Sequence, residues 1–225
     1  MSSNVERGPR PPRHTALVFA GGEPNPPEAV ADLPDDALVV AADSGAVHAR
    51  RCGRSVDILV GDFDSIPPGV LAQLEEAGTE VQRHPVDKDR TDLALALDAA
   101  MAAGATELIV VGGHGGRLDH LLANALLLAA EEYAACRVEA RFGRARVTVL
   151  RGRCELRGEP GELVTLLPVG GPAAGVSTEG LHYPLQEAEL SPGVTWGVSN
   201  RFTHSPAFVS VGRGVLLAVQ PGPES

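Results

Sequence analysis

Five aspartates stand where predicted strands end or predicted helices begin, and their type and spacing suit them to bind a cation. They are Asp43, Asp62, Asp64, Asp92 and Asp119. Asp62 and Asp64 follow the apolar run 58–60, so in an extended backbone both carboxylates face one side. Carboxylates gathered in this way repel one another unless a cation lies between them. A hard cation such as Mg²⁺, with phosphate oxygens completing its shell, fits that need, and we predict Asp62, Asp64 and Asp92 as its ligands.

Basic residues and glycines near these acids are suited to holding phosphate. Glycines surround His114 on both sides, and Arg117 follows them directly. Glycines let the backbone approach a ligand closely, and an arginine offers a permanently charged fork to phosphate oxygens. Lys88 and Arg90 add positive charge next to another of the acids. Metal-binding acids combined with phosphate-binding groups are typical of phosphoryl-type transfer.

Each of these features also has a plainer structural interpretation, which the sequence leaves open. Asp62 and Asp64 could only turn the chain or cap the next helix. Asp119 could cap the helix that follows it, or form a local ion pair with Arg117. Lys88 and Arg90 could be only a solvated loop face, which is the usual fate of such charges. The recurrence of the pattern along the chain is what favours a shared site.

Residues 14–143 alternate short apolar runs with helical segments, and this predicts the sheet that would position the acids. The expected strands are 15–20, 37–42, 58–60, 80–83 and 107–111. The expected helices are 46–51, 67–77, 93–103 and 121–130, with Asp89 or Thr91 as the N-cap of the third. The alternation indicates an α/β fold with a mostly parallel, doubly wound sheet, which binds ligands at the carboxyl ends of its strands.

The pattern changes after residue 143 to short strand-like runs broken by Gly and Pro, with no convincing helix between them. These runs are 146–150, 154–157, 163–168, 208–211 and 215–219. We therefore predict a small all-β domain, a sandwich or barrel-like roll, over residues 144–225. Residues 1–13 carry Arg and Pro without an apolar stretch, so we expect a disordered leader rather than a signal peptide.

The formal net charge of −10 excludes several classes of function. It argues against a nucleic-acid partner held through phosphates and against a basic helix on a membrane surface. No apolar run approaches the length that crosses a bilayer. The three cysteines are odd in number and lack metal-ligand spacing, which argues against a disulfide or zinc scaffold and favours a reducing cytoplasm.

Four ordered motifs together resemble those of the thiamine pyrophosphokinase family. They are Ala42-Asp43-Ser44-Gly45, Gly61-Asp62-Phe63-Asp64-Ser65-Ile66, Asp87-Lys88-Asp89-Arg90-Thr91-Asp92, and Gly115-Gly116-Arg117-Leu118-Asp119-His120 followed by Asn124. The match covers most of residues 37–130 in order and spacing. The last third of the chain resembles the β-domain of the family more loosely, through Gly197-Val198-Ser199-Asn200. His114 departs from the pattern, because the family tends to have a smaller residue there.

The resemblance implies transfer of the pyrophosphoryl group of ATP to the hydroxyl of thiamine, giving AMP and thiamine diphosphate. It implies Mg²⁺, a catalytic α/β domain over 14–143, and a thiamine-binding and dimerisation domain over 144–225. It also implies a homodimer that shares the thiamine site between subunits. The resemblance assigns the five aspartates to catalysis and Ser199 and Asn200 to thiamine. It assigns the ATP side to Ser44, Gly45, Ser65, Lys88, Thr91, Gly115, Gly116, Arg117 and Asn124.

Two other functions remain as alternatives at this point. A phosphohydrolase with an aspartyl nucleophile would use Asp62 and Asp64 after a buried strand, although such enzymes usually carry Thr or Val where this chain has Ile66. A non-catalytic sensor of thiamine or nucleotide would need binding groups but not a complete set of metal-binding acids. For the transferase, either Asp43 or Asp92 could accept the proton of the attacking alcohol.

Overall fold

A computed structural model describes residues 13–86 and 89–223 of the chain. The leader prediction over 1–13 therefore lies almost wholly outside the described residues, as does Lys88. The strands are β1 Thr15–Phe19, β2 Leu38–Ala42, β3 Ile58–Gly61, β4 Glu80–Arg83, β5 Glu107–Val111, β6 Arg137–Phe142, β7 Ala145–Leu156, β8 Leu163–Glu179, β9 Ala188–Leu190, β10 Asn200–Arg201 and β11 Ala207–Gln220. The α-helices are α1 Gly45–Arg51, α2 Pro68–Glu76, α3 Asp92–Ala102 and α4 Leu118–Leu128. None of these helices is both long enough and apolar enough to cross a lipid bilayer.

The first six strands form a parallel sheet in the order β6-β5-β1-β2-β3-β4. Its central strands are buried on both faces, as their unbroken apolar runs require. Helices α3 and α4 pack on one face and α1 and α2 on the other, each with its own apolar core. The strand order reverses between β1 and β5, so ligands are expected outside the carboxyl ends near this point.

The remaining strands continue the same sheet in antiparallel fashion, with β7 beside β6 and then β11 and β8. A third apolar core lies within this region. The predicted fold class, a mostly parallel sheet followed by a β-rich region, is confirmed. The division into two domains at residue 143 stays a prediction, because hydrogen bonding runs across that point.

The five short runs predicted after residue 143 all correspond to parts of three long strands, β7, β8 and β11, and the short strands β9 and β10 were not predicted. The runs 146–150 and 154–157 are both parts of β7, and 208–211 and 215–219 are both parts of β11. The glycines taken as breaks are bulges: the register of β11 against β7 shifts between Val211 and Leu216. Strand β6 was not predicted, although the alternating Val138, Ala140 and Phe142 would have indicated it.

Candidate active site

Three of the five predicted aspartates meet at the carboxyl edge of the parallel sheet. Asp43 follows β2, Asp62 follows β3, and Asp92 is the first residue of α3. Their half-buried carboxylates each offer an oxygen, and these oxygens all lie within 4.8 Å of one another. Side chains separated by 49 positions along the chain thus form one acidic cluster, which we call the aspartate triad (Asp43, Asp62 and Asp92).

The backbone around the triad is bent to hold Asp43 in place. Asp43 has a φ of 43° and accepts a hydrogen bond from the backbone N–H of Phe63 through Oδ1, at 3.0 Å. Gly61 has a φ of 148°, and a Cβ built on it would lie 2.0 Å from the same oxygen. A side chain at position 61 would therefore displace the Asp43 carboxylate, which explains the glycine between β3 and the acids.

Three ionised carboxylates this close together repel one another, so the triad favours binding of a cation or a proton. Burial, with further contributions from the charges of Asp92 and Asp62, raises the pKa of Asp43 to about 6, although the bond from Phe63 opposes this. Asp43 and Asp92 are also linked by a side-chain hydrogen bond. Three hard carboxylate oxygens in mutual reach form a suitable donor set for Mg²⁺, so the residues present fit the predicted metal.

Asp64 and Asp119 lie outside the triad among the described residues. Asp64 is exposed, and its backbone N–H donates to Oδ1 of Asp62 at 3.1 Å, which is a local turn. Asp119 forms an exposed ion pair with Arg117, with Nη2 and Oδ2 2.5 Å apart, and this bond lowers the pKa of Asp119 to about 2. The local pairing left open by the sequence is thus present. Catalytic roles for these two acids stay predictions.

The glycine-rich turn after β5 is held by hydrogen bonds to the turn after β1. Gly113 donates to the carbonyl of Gly21 at 2.7 Å, and Glu23 donates to the carbonyl of His114 at 2.8 Å. Asn124 of α4 donates its side-chain amide to the carbonyl of Gly113, also at 2.8 Å. Asn124 therefore stabilises the glycine-rich turn from helix α4. Its contact with ATP stays a prediction.

Other residues assigned to the ATP side have mixed surroundings. A Cβ at Gly45 would lie 2.1 Å from the Phe19 carbonyl oxygen, so α1 can pack closely on β1 only with glycine there. Ser44 immediately before it packs against Gly21. The remaining predicted residues that the structure describes here are exposed: Ser65, Gly115, Gly116 and Arg117.

The segment before α3 contains the predicted helix cap, and it also contains Arg90, whose partners lie within the chain. Thr91 caps the helix, because its Oγ1 accepts a hydrogen bond from the Ala94 N–H at 3.3 Å. Arg90 was expected to add charge for phosphate, but its guanidinium is bonded to Asp98 and Glu132 and contacts Tyr133. These partners lie 8, 42 and 43 residues away, so local sequence could not reveal them.

The predicted thiamine residues lie at the start of β10. Ser199 is exposed, has a φ of 58°, and donates its backbone N–H to Oγ1 of Thr165 at 3.0 Å. Asn200 is 2% exposed and bonds both the N–H and the carbonyl of Tyr183, at 2.9 and 2.8 Å. Asn200 thus fixes the neighbouring loop, on which the Tyr183 ring is exposed; the Trp196 ring is exposed as well.

Sequence reasoning missed Asn25, which supports the glycine-rich turn indirectly. Its side-chain amide donates to the carbonyls of Arg141 and Gly143, at 2.8 and 2.9 Å. This ties the loop after β1 to the β6–β7 turn, while the same loop holds the turn after β5 through Glu23. A polar residue between prolines carries no pattern that would have singled it out.

The fold and the site define an α/β protein with an acidic edge suited to a cation, a glycine-rich turn suited to phosphate and an appended antiparallel region. Residues 32–139 match the family model of the thiamin pyrophosphokinase catalytic domain, and residues 153–216 match that of the thiamin pyrophosphokinase vitamin B1 binding domain. The chain belongs to the thiamine pyrophosphokinase family.

Individual relatives support the same assignment. The chain is 26% identical to the thiamine pyrophosphokinase of Bacillus subtilis over 209 residues, 92% of this chain and 98% of that protein. The crystal structure of a Bacillus subtilis thiamine pyrophosphokinase superposes with a TM-score of 0.82 at 25% identity, covering 93% of this chain and all of that one. A thiamin pyrophosphokinase from Geobacillus thermodenitrificans gives 0.79 at 29% identity, covering 94% and 99%.

Proposed function

We propose that this chain transfers the pyrophosphoryl group of ATP to the hydroxyl of thiamine, producing AMP and thiamine diphosphate. The aspartate triad at the carboxyl edge of the sheet is the observation that carries the proposal. Family membership supplies the substrates, since both the catalytic and the vitamin B1 binding models match. The alcohol oxygen would attack the β-phosphorus, and the bond from that phosphorus to the oxygen bridging it to the α-phosphorus would break.

Magnesium is the cation that the triad suits best. Asp62 and Asp92 would hold it, with Asp64 as the further ligand proposed from the sequence, while Asp43 lies within reach of the same position. A Mg²⁺ ion held by these carboxylates would supply positive charge that offsets the negative charge developing on the phosphate groups.

Asp43 is the better of the two candidates for accepting the proton of the alcohol. Its pKa of about 6 lies nearer neutral pH than that of an ordinary carboxylate, which favours transfer of a proton to it. The Phe63 N–H donates to Oδ1 of Asp43 at 3.0 Å, which fixes the position of this carboxylate. Asp92, hydrogen-bonded to Asp43, would orient it.

The exposed Arg117 and the glycine-rich turn would hold the triphosphate. Arg117 lies on the surface at the start of α4, and only the Asp119 carboxylate in the described residues is bonded to its guanidinium. Phosphate oxygens carry more charge than one carboxylate and can compete for this fork. Gly115 and Gly116 both have positive φ, which glycine adopts readily, and without side chains of their own they would let the backbone approach phosphate closely.

On the thiamine side we propose a homodimer in which Ser199 and Asn200 of one subunit complete the site of the other. Ser199 would contact the substrate directly, whereas Asn200 would act by holding the Tyr183 loop. The negative charge of the triad would attract the cationic thiazolium ring. A cytoplasmic location is also proposed, because the three cysteines are all free thiols in this structure.

The decisive experiment incubates the purified protein with Mg-ATP and thiamine and identifies both products by mass. We expect AMP and thiamine diphosphate in equal amounts, and ADP as the sole nucleotide product would rule the proposal out. The Asp62→Asn variant should lose most turnover while its circular dichroism stays native. Near-normal turnover in that variant would contradict the metal-ligand role.

The same assay tests the two alternatives, which the comparisons do not favour. A sensor would bind thiamine or nucleotide without turnover. A phosphohydrolase with an aspartyl nucleophile would accumulate a phosphoaspartate on Asp62 and release inorganic phosphate without needing thiamine.

A further inference from the structure

Positive charge is concentrated in the hairpin of β6 and β7, although the chain as a whole is acidic. Residues 137–157 contain seven of the 19 basic residues of the chain, and all seven are arginines. The same stretch has two acids, Glu139 and Glu155, so it carries an excess of five positive charges in a chain whose formal net charge is −10. Such a local excess is typical of a surface that attracts an anion.

The end of this hairpin forms a corner in the sheet. The pairing of β6 with β7 extends as far as Glu139 and Thr148, whereas β7 continues beside β11 to Leu156. The second half of β7 therefore passes beyond the beginning of β6, and a cavity of about 720 Å³ lies at this corner. Five of the seven arginines line it, and we call it the arginine notch: Arg137, Arg146, Arg151, Arg153 and Arg157.

The arginine notch lies on the opposite edge of the parallel sheet from the aspartate triad. Glu107 is the first residue of β5 and Arg137 is the first residue of β6, and both line the notch. The triad, by contrast, follows the carboxyl ends of β2 and β3. An anion in the notch would therefore occupy a different site from the one proposed for catalysis.

Two of the arginines are held by the protein itself. Arg151 donates to the carbonyls of Ala129 and Ala130, just after α4, at 2.8 and 3.2 Å. Arg146 forms an ion pair with Asp32. Their charges make the notch more positive, but their guanidinium groups are already bonded.

The other three arginines are available to a ligand. Arg137 is exposed, and no carboxylate in residues 13–86 or 89–223 forms an ion pair with it. The side chains of Arg153 and Arg157 are 57% and 76% exposed, and they pair at the surface with Glu179 and Glu155. Surface ion pairs contribute little to stability, so phosphate oxygens can replace these carboxylates.

The side chains of the arginine notch favour a small anion with several phosphate groups. A guanidinium offers phosphate two parallel N–H donors, which a lysine does not. A volume of about 720 Å³ is within the range of small-molecule sites. A long polyanion such as nucleic acid is disfavoured, because Glu107, Glu139 and Glu155 also line the notch and the chain as a whole is acidic.

We propose that the arginine notch is a second phosphate-binding site, which holds a small polyphosphate anion without a metal ion through Arg137, Arg153 and Arg157. Arginines neutralise phosphate charge directly, whereas the aspartate triad needs a cation to bind phosphate. An inorganic polyphosphate and the phosphate chain of a nucleotide both present the groups that these arginines recognise.

Calorimetric titration with sodium tripolyphosphate in EDTA tests the site, because chelation leaves the aspartate triad without a cation. The unaltered chain should bind, and Arg153→Ser should weaken binding about tenfold through the loss of charged hydrogen bonds. Arg153→Lys keeps the charge but not the planar fork, so it should weaken binding less. Arg213→Ser is the matched control and should bind normally, because Arg213 is exposed on β11 but does not line the notch.

The same titration of Arg117→Ala tests whether the glycine-rich turn is the binding site instead. This variant should bind tripolyphosphate as the unaltered chain does. No binding by the unaltered chain at millimolar concentration, or binding lost in Arg117→Ala and kept in Arg153→Ser, would overturn the proposal. ATP titrated into Arg117→Ala in EDTA distinguishes the two sources: equal affinity supports recognition of phosphate alone, and higher affinity supports a nucleotide.

Cysteine alkylation locates the bound anion in the natural sequence. Cys154 lines the arginine notch, whereas Cys52 follows α1. Tripolyphosphate should slow the alkylation of Cys154 severalfold, as measured by mass spectrometry, and should leave the rate at Cys52 unchanged. An unchanged rate at Cys154 would contradict this placement.

The arginine notch is independent of the proposed reaction, and the two can fail separately. Arg153→Ser should make AMP and thiamine diphosphate from Mg-ATP and thiamine at the unaltered rate. An unaltered chain that binds tripolyphosphate in EDTA but makes no AMP would refute the reaction and support the notch. A chain that makes AMP but does not bind tripolyphosphate in EDTA would refute the notch alone.

Discussion

Asp43 is the residue on which burial, backbone strain and electrostatics act together. Its backbone adopts a positive φ, its Oδ1 is fixed by the Phe63 N–H, and Gly61 leaves the space it needs. Two further carboxylates stand beside it. Three neighbouring carboxylates repel one another, and this repulsion destabilises the folded chain when no cation is bound. A bound metal ion would remove the repulsion.

The first prediction concerns stability against pH in the absence of metal. The pKa of Asp43 in the folded chain, about 6, lies above its ordinary value of 3.8, so the folded state binds more protons between these values. Stability should therefore fall as pH rises from 4 to above 6, by about 1 kcal/mol once solvent screening of this half-exposed group is allowed for. Asp43→Asn should remove this part of the loss and be the more stable chain at pH 7.

Urea denaturation between pH 4 and pH 8, with and without Mg²⁺, measures this effect. Magnesium should raise the midpoint of the unaltered chain at pH 7 more than that of Asp43→Asn, since the variant carries less charge to neutralise. Asp36→Asn, in the exposed loop before β2, is the control and should follow the unaltered curve. Parallel pH curves for Asp43→Asn and the unaltered chain would contradict the prediction.

Local pattern was enough to predict the members of the triad, but not the partners of other polar residues. Asp43 and Asp62 end apolar strands and Asp92 begins a helix, and strand order alone brings such positions together. Asn200 was expected to contact thiamine, yet its amide is bonded to Tyr183, 17 residues away. Such contacts depend on how a loop folds against distant parts of the chain, so local sequence patterns do not predict them.

At the level of elements, helix α3 contributes an acid to the aspartate triad from its first turn. Asp92 occupies the first helical position, so its place depends on where the helix begins. Thr91 determines that start through its cap to the Ala94 N–H. Since the cap stabilises the first turn of the helix, it also supports the position of the Asp92 carboxylate in that turn.

The second prediction is that Thr91→Ala lowers the free energy of unfolding by about 1 kcal/mol, because the Ala94 N–H loses its partner. Thr91→Ser is the matched control, since its hydroxyl can cap the helix as well, and it should keep most of the stability. Urea denaturation of the three proteins at one pH gives the comparison. Equal losses for the alanine and serine variants would show that the methyl group, not the cap, matters.

The parallel strands were easier to predict than the antiparallel ones, for a physical reason. Strands β1, β2 and β5 are buried on both faces and therefore appear as uninterrupted apolar runs. Strands β7 and β11 are long, bulged and partly exposed, so their glycines looked like turns. Bulges arise where a sheet bends, and the bend depends on strands distant in sequence.

At the scale of the whole molecule, one continuous sheet joins the acidic edge to the β-rich region. The sheet runs from β4 through β6 to β7, β11 and β8, with three apolar cores distributed along it. The aspartate triad belongs to the parallel half, while Ser199 and Asn200 lie at the far antiparallel end. Six strands (β8, β11, β7, β6, β5 and β1) lie between β10 and β2 in the sheet order, and this separation favours a site completed by a second subunit.

The third prediction follows from that separation and tests whether the site is shared. Asp62→Asn removes a triad acid, and Ser199→Arg places bulk and positive charge where the cationic ring of thiamine is proposed to bind. Each variant alone should form an inactive dimer. If each site combines the acids of one subunit with the β-rich region of the other, a mixed dimer contains one site with both changes and one with neither.

Random pairing after joint refolding makes half of the dimers mixed, so AMP production should recover to about a quarter of the unaltered level. The matched control mixes Asp62→Asn with Asp92→Asn, whose changes fall in the same half of the site. That mixture should stay inactive, because every site then lacks one acid. No recovery in the Asp62→Asn and Ser199→Arg mixture would place each complete site within a single chain. Recovery in the control would show that the acids of one site come from both chains.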